Sequence, residues 1–128
     1  MDRRRKVLYV EDNPDNRRLV RVILESEGYE VIEAEDGSAA LGSALAHTPD
    51  LILMDMHLPK LDGYEATRQI RKLPGFDLVP IVALTASVLK VDKDRALEAG
   101  CVGFIQKPID VDRFPRQVNE FFSSSQSS

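Results

Sequence analysis

The chain has 128 residues, of which 43% are hydrophobic and 30% charged, and its formal net charge is −4. This length fits one domain that buries a core without disulfides or structural metals. The acidic balance argues against nucleic-acid binding, the single cysteine excludes an internal disulfide, and the apolar runs fall far short of the ~18 residues of a membrane span. We therefore expect a cytoplasmic protein with no nucleic-acid or membrane partner.

Apolar runs and helix signals alternate along the chain. Strands are predicted at residues 6–10, 30–34, 51–55, 80–85 and 102–106. Helices are predicted at residues 14–27, 38–47 and 64–73, then from after residue 87 to about 100, and from a cap at Asp110 to residue 122. This alternation predicts an α/β fold with a doubly wound parallel sheet. Residues 1–122 are expected to form the domain, and residues 123–128 a disordered polar tail.

The first helix carries clear end signals and an amphipathic pattern. Asn13 suits the N-cap, Pro14 the first helical position and Gly28 the stop. The predicted core stripe consists of Asn16, Val20, Ile23, Leu24 and Glu27. Leu19 lies at the margin of that stripe and Val22 well off it, so two apolar side chains are predicted to face outward.

The candidate functional groups follow four of the five predicted strands. Glu11 and Asp12 follow the first strand, Asp55 ends the third, Thr85 ends the fourth and Lys107 follows the fifth. The carboxyl ends of parallel strands share one edge of the sheet, where ligands of open α/β folds bind. Each residue alone has an ordinary interpretation as a surface or helix-start group. Their occurrence together at four strand ends predicts a functional site.

The chemistry of this set is that of a phosphoryl acceptor with a divalent cation. Clustered carboxylates repel one another and bind hard cations, so Mg²⁺, or Mn²⁺ in its place, is the expected cofactor. A carboxylate such as Asp55 can attack phosphorus, while Lys107 and Thr85 compensate the charge on the phosphoryl oxygens.

These residues make the whole chain resemble the receiver domains of two-component response regulators. The matching segments are Val10-Glu11-Asp12-Asn13, Leu53-Met54-Asp55-Met56-His57-Leu58-Pro59 with Asp62-Gly63, Leu84-Thr85-Ala86 and Lys107-Pro108. The resemblance implies a flavodoxin-like sheet in the order 2-1-3-4-5. It also implies a cis peptide between Lys107 and Pro108, and phosphorylation of Asp55 by a histidine kinase or a histidine phosphotransfer protein.

The resemblance further implies roles around the phosphorylated residue. Asp12, Asp55 and the backbone carbonyl of His57 would ligate the metal, with Glu11 acting through water. Thr85 would move toward the phosphoryl group, and Phe104 would turn inward behind it. His57 and Ser87, each two residues after a site residue, would set the lifetime of the phosphorylated state.

Output is expected through contact with a downstream protein. Leu19 and Val22, with Pro108 and Ile109 near the site, are predicted to dock the histidine-bearing partner. The alternative for Leu19 and Val22 is that they are ordinary exposed apolar residues.

Three other kinds of protein stay open. An aspartyl-phosphate phosphatase commonly has a second acid two residues after its nucleophile, where this chain has His57. A flavin carrier of the same fold needs a phosphate-binding loop after the first strand, where Glu11 and Asp12 would repel phosphate. The chain could also be the receiver of a hybrid kinase rather than a stand-alone regulator.

Overall fold

Five strands and five helices alternate in the computed structural model, which describes residues 4–58 and 61–126, with side chains up to residue 122. The elements are β1 (Lys6–Val10), α1 (Pro14–Ser26), β2 (Glu30–Ala34), α2 (Gly37–His47), β3 (Leu51–Asp55), α3 (Gly63–Arg71), β4 (Ile81–Thr85), α4 (Lys90–Ala99), β5 (Gly103–Gln106) and α5 (Phe114–Gln126). All strand pairs are parallel and the order is β2-β1-β3-β4-β5. This confirms the flavodoxin-like fold.

The sheet separates two apolar layers. Alternate residues of each strand point to opposite faces, so in β1 Leu8 and Val10 contact the layer under α2, α3 and α4, whereas Val7 and Tyr9 contact the layer under α1 and α5. Every residue of β3 and β4 is buried. Both central strands are therefore covered on both faces, and they form a rigid mount for the residues at their ends.

The buried stripe of α1 is narrower than predicted. Val20, Ile23 and Leu24 are buried and Asn16 is half-buried, but Glu27 is exposed. The helix ends one residue before Glu27, whose N–H contacts the last turn as the C-cap. The backbone at the C-cap no longer continues the helix, so the side chain of Glu27 does not lie on the buried face. The prediction that Glu27 belongs to the core stripe was therefore wrong.

Four other helix boundaries differ from the prediction by two or more residues. Helix α3 ends at Arg71 because Lys72 and Leu73 N–H groups bond three residues back and tighten the last turn. Helix α4 begins only at Lys90, and α5 at Phe114, where a turn follows Asp110. Helix α5 continues beyond residue 122 to Gln126, so the predicted tail overlaps this helix.

Parts of two predictions fall on residues 59–60 and 127–128, which lie outside the described residues. They are Pro59 of the sequence motif and the end of the polar tail. Within the described ranges, each helix is too short or too polar to cross a membrane.

Candidate functional site

The ends of β1, β3, β4 and β5 bring the predicted residues to one edge of the sheet. Asp55 pairs in register with Leu84, so Thr85 lies one residue further along the neighbouring strand. Lys107 N–H donates to the Thr85 carbonyl at 2.9 Å, which ties the end of β5 to that of β4. Backbone hydrogen bonds between neighbouring strands thereby hold Asp55, Thr85 and Lys107 close together, although these residues are far apart in the sequence.

Three carboxylates cluster at this edge. Glu11, Asp12 and Asp55 each offer one oxygen, and these oxygens all lie within 4.8 Å of one another. Glu11 is 1% and Asp55 2% exposed, whereas Asp12 is exposed to solvent. An all-oxygen donor set that is open on one side suits a hard cation that keeps part of its water shell. The donor chemistry therefore fits Mg²⁺.

Lys107 lies between two of these acids. Its Nζ is 3.2 Å from Asp55 Oδ2 and 3.3 Å from Glu11 Oε1. Burial on its own lowers the pKa of the Lys107 ammonium, but the charges of Asp55 and Glu11 oppose this and leave its pKa above the ordinary value. Three carboxylates and one ammonium leave two net negative charges, which a divalent cation would balance.

The carboxylate of Asp55 is oriented by the backbone that follows it. The His57 N–H donates to Asp55 Oδ1 at 2.9 Å, so Oδ1 and Oδ2 have different partners. Gly63, at the start of α3, packs against the Asp55 carbonyl and Met56, leaving no room for a Cβ atom. Sequence reasoning treated Gly63 as a turn signal and missed this close approach.

The segment after β4 is held by side-chain hydrogen bonds. The Ser87 N–H donates to Thr85 Oγ1 at 3.1 Å, and the Leu89 N–H donates to Ser87 Oγ at 3.1 Å. Ser87 Oγ in turn donates to Asp92 Oδ2 at 2.5 Å. Local hydrogen bonds of this kind compete with helical ones, which explains why α4 begins late. The sequence reasoning did not include Asp92.

Tyr9 is a second residue that the sequence reasoning missed. Its hydroxyl donates to Glu11 Oε1 at 3.0 Å inside the protein. Burial, followed by the charge of Glu11, raises the pKa of Tyr9 far above its ordinary value. The sequence did offer one indication of this contact. Tyr9 and Glu11 are two residues apart, and residues with that spacing on a strand point to the same face of the sheet.

The other predicted residues lie around this centre. Phe104 is half-buried, with Lys93 Nζ 4.6 Å from its ring centroid. The side chain of His57 is exposed, and the peptide between Lys107 and Pro108 is cis.

The predicted docking residues differ in exposure. Leu19 is 40% and Val22 61% exposed on α1. Pro108 is exposed, whereas Ile109 is half-buried against the layer under α1 and α5.

A family model described as the response regulator receiver domain matches residues 7–119. The chain belongs to the response regulator receiver family. It is therefore a signalling domain of two-component systems, whose members interact with histidine kinases and downstream partners. This assignment favours neither the flavin carrier nor the phosphatase considered above.

Individual relatives cover nearly the whole receiver domain. The chain is 38% identical to the polar-differentiation response regulator DivK of Brucella anthropi, over 94% of this chain and 98% of that protein. The chemotaxis protein CheY4 of Vibrio cholerae has a TM-score of 0.90 at 28% identity, covering 93% of this chain and 99% of the other.

A relative with a metal supports the interpretation of the acidic cluster. The receiver domain of a sensor histidine kinase from Pseudomonas aeruginosa PAO1 has a TM-score of 0.85 at 40% identity, covering 94% of this chain and 99% of that one. Its structure has a magnesium ion coordinated in the active-site cleft. The receiver family thus provides a precedent for a metal beside such acids.

Proposed function

We propose that this receiver accepts a phosphoryl group on Asp55 from a phosphohistidine of a histidine kinase or a histidine phosphotransfer protein. The observation that carries the proposal is the placement of Asp55, a buried carboxylate at a strand end, beside the Lys107 ammonium and two further acids. A nucleophile, a positive charge and a cation site at one edge of the sheet are the parts that phosphoryl transfer requires.

In the proposed transfer, a carboxylate oxygen of Asp55 forms a bond to phosphorus while the phosphorus–nitrogen bond of the donor breaks. The imidazole nitrogen leaves with the electron pair and takes up a proton from solvent. Lys107 turns from its two carboxylates toward the incoming phosphoryl oxygens, whose charge it compensates. The rigid end of β3 keeps the nucleophile in line with the donor.

Mg²⁺, or Mn²⁺, would be held by carboxylate oxygens of Asp12 and Asp55 and by the backbone carbonyl of His57, with Glu11 contacting it through water. When bound, the cation neutralises charge on the acids and on the phosphoryl group. Without it, the net negative charge of the cluster repels an anionic donor.

The switch is proposed to start at Thr85. Its Oγ1 accepts the Ser87 N–H, which leaves its own hydrogen free to donate to a phosphoryl oxygen. Movement of Thr85 would loosen its contact with Ser87 and make room for Phe104 to turn inward. The new surface would then be recognised by a downstream protein partner.

His57 and Ser87 are proposed to control the lifetime of the phosphorylated state. The exposed imidazole of His57 follows the backbone that holds Asp55, so it can influence the approach of water. His57→Asn is expected to change the half-life of the phosphorylated protein. An unchanged half-life would reject a role for the His57 side chain.

Docking of the histidine-bearing partner is proposed at Leu19 and Val22, with Pro108 and Ile109 nearer the site. Leu19→Ser combined with Val22→Ser is expected to slow transfer from a phosphorylated donor protein while leaving labelling by acetyl phosphate unchanged. Equal transfer rates from the donor protein would reject this surface.

The central test of the function is labelling with acetyl phosphate or a phosphorylated histidine kinase in the presence of Mg²⁺. The wild-type protein is expected to gain a hydroxylamine-labile phosphoryl group that does not form when the metal is chelated beforehand. Asp55→Asn should abolish the label, while the matched change Asp77→Asn, at an exposed acid elsewhere, should retain it. A label that persists in Asp55→Asn would overturn the proposal.

A further inference from the structure

Tyr9 places a polar atom beneath the acidic cluster. The residue is 0% exposed and pairs in register with Leu53 of β3, and its ring lies in the apolar layer under α1 and α5. Its hydroxyl donates to Glu11 Oε1 at 3.0 Å. The ring alone would fill the same space. The hydroxyl therefore contributes something besides packing, namely a hydrogen bond to a charged acceptor.

The Glu11 carboxylate is held from two sides. Oε1 accepts from the Tyr9 hydroxyl, from Lys107 Nζ and, at 3.5 Å, from Asn16 Nδ2, while Oε2 accepts the Asn13 N–H at 3.2 Å. The Lys107 ammonium forms ion pairs with both Glu11 and Asp55, and the Lys107 side chain is 23% exposed. Tyr9 is 0% exposed, so packing by the core fixes its ring independently of the Lys107 side chain.

We propose that Tyr9 is a positioning residue that holds Glu11 in the orientation needed to bind a water molecule of the metal. The inference rests on the proposed Mg²⁺-dependent function and adds a residue to it. A carboxylate that contacts a metal through water is effective only when its own orientation is fixed, and hydrogen bonds from outside the ligand set supply this. The Tyr9 hydroxyl is such a partner for Glu11.

The substitution Tyr9→Phe isolates this hydrogen bond because it removes one oxygen and keeps the ring. Loss of an outer hydrogen-bond partner is expected to raise the Kd for Mg²⁺ by about tenfold. Phosphoryl uptake should therefore fall at low Mg²⁺ and approach the wild-type rate at saturating Mg²⁺. A residue needed only for packing would not produce this separation between metal affinity and maximal rate.

The experiment is a calorimetric titration of the full chain with Mg²⁺, followed by acetyl phosphate labelling at several Mg²⁺ concentrations. Tyr29→Phe is the matched control, since Tyr29 belongs to the same apolar layer but stacks on Phe122. The control should bind Mg²⁺ as the wild type does. A Tyr9→Phe variant whose Kd stays within about twofold of the wild type overturns the inference, as does tighter binding.

Two further measurements distinguish misfolding of the Tyr9→Phe variant, failure of the proposed function and failure of the proposed role of Tyr9. Urea unfolding without Mg²⁺ shows whether Tyr9→Phe is folded under the titration conditions, and Tyr9→Leu offers a second variant that lacks the hydroxyl. Both folded variants should show the raised Kd. Persistence of the label in Asp55→Asn would remove the proposed function, whereas loss of the label there combined with normal Mg²⁺ affinity in both Tyr9 variants would remove only the role of Tyr9.

Discussion

Lys107 Nζ lies 3.2 Å from Asp55 Oδ2 and 3.3 Å from Glu11 Oε1, so a single ammonium separates two buried carboxylates. Replacing it by Lys107→Met would leave those charges facing each other. We expect the free energy of unfolding in metal-free buffer to fall by about 1–3 kcal/mol. Phosphoryl uptake by Asp55 should fall about 100-fold, because the charge compensation is lost. Urea unfolding and acetyl phosphate labelling measure the two effects.

Lys90→Met is the control for this prediction. Lys90 Nζ lies only 2.7 Å from Asp94 Oδ2, but the pair is on the surface. Solvent screening makes such a pair contribute little, so stability and labelling should remain as in the wild type. Equal losses in the two variants would contradict a special role for Lys107.

The contacts of Lys107 with Asp55 and Glu11 also predict how the stability of the protein depends on pH. Burial lowers the pKa of Lys107, but Asp55 and Glu11 outweigh it, so the folded pKa lies above the ordinary value of 10.5. The stabilisation from Lys107 is therefore fully present below pH 10.5 and is lost as the pH rises through the folded pKa. Lys107→Met should show a shallower decline of stability in this range than the wild type.

Asp12→Asn is expected to distinguish two effects of the Asp12 carboxylate on stability, which are its repulsion of the neighbouring carboxylates and its binding of Mg²⁺. Removing one of three clustered carboxylates should stabilise the metal-free protein. The wild type should gain about 1.4 kcal/mol of unfolding free energy at a Mg²⁺ concentration ten times its Kd, and the variant should gain almost nothing at that concentration. Asp15→Asn, at an exposed acid in the first turn of α1, should keep the gain. A full Mg²⁺ response in Asp12→Asn would exclude Asp12 as a ligand.

Ser87→Ala should loosen the segment before α4. The change removes the acceptor of the Leu89 N–H and the donor to Asp92 Oδ2. We expect faster hydrogen exchange at residues 87–90 and a loss of about 1 kcal/mol in stability. Asp92→Asn should produce a smaller change at the same amides, and Asp94→Asn none. Unchanged exchange in Ser87→Ala would show that backbone contacts alone hold the segment.

Gly63→Ala tests the close approach beside Asp55. A Cβ atom at Gly63 would contact the Asp55 carbonyl and would lie 2.7 Å from Met56 Cα. Because backbone atoms cannot yield as a flexible side chain can, we expect a loss of about 3 kcal/mol and weaker phosphoryl uptake. At Gly42, in α2, no atom lies within 4 Å of a new Cβ. Gly42→Ala should instead stabilise the protein by about 0.5–1 kcal/mol in thermal or urea unfolding.

Cys101 predicts a separate loss of stability in mildly alkaline solution. Burial raises the pKa of its thiol from 9.0 to about 11, with the Thr67 hydroxyl and Arg71 opposing that rise. The stabilisation, of about 3 kcal/mol, is present below pH 9 and is lost as the pH rises toward 11. Urea unfolding between pH 8 and about 10 should show roughly half of this decline. It should be absent in Cys101→Ala, and a decline of equal slope there would assign it to other groups.

Much of the fold was predictable because it depends on local patterns. Continuous apolar runs in β3 and β4 indicated strands covered on both faces, and the structure shows every residue of both strands to be buried. Helix ends were less predictable. The stop of α3 and the late start of α4 depend on which hydrogen bonds the final turns and Ser87 make, and several patterns were compatible with the same residues.

The placement of Asp55, Thr85 and Lys107 at one edge of the sheet followed from the sequence alone, since the carboxyl ends of parallel strands meet there. What only the tertiary structure decided is how these groups are held. The hydrogen bond from Tyr9 to Glu11 and that from Ser87 to Asp92 depend on side-chain rotamers, which packing selects. Topology is encoded in periodicity, whereas the orientation of a carboxylate depends on distances of a few tenths of an ångström that no residue pattern specifies.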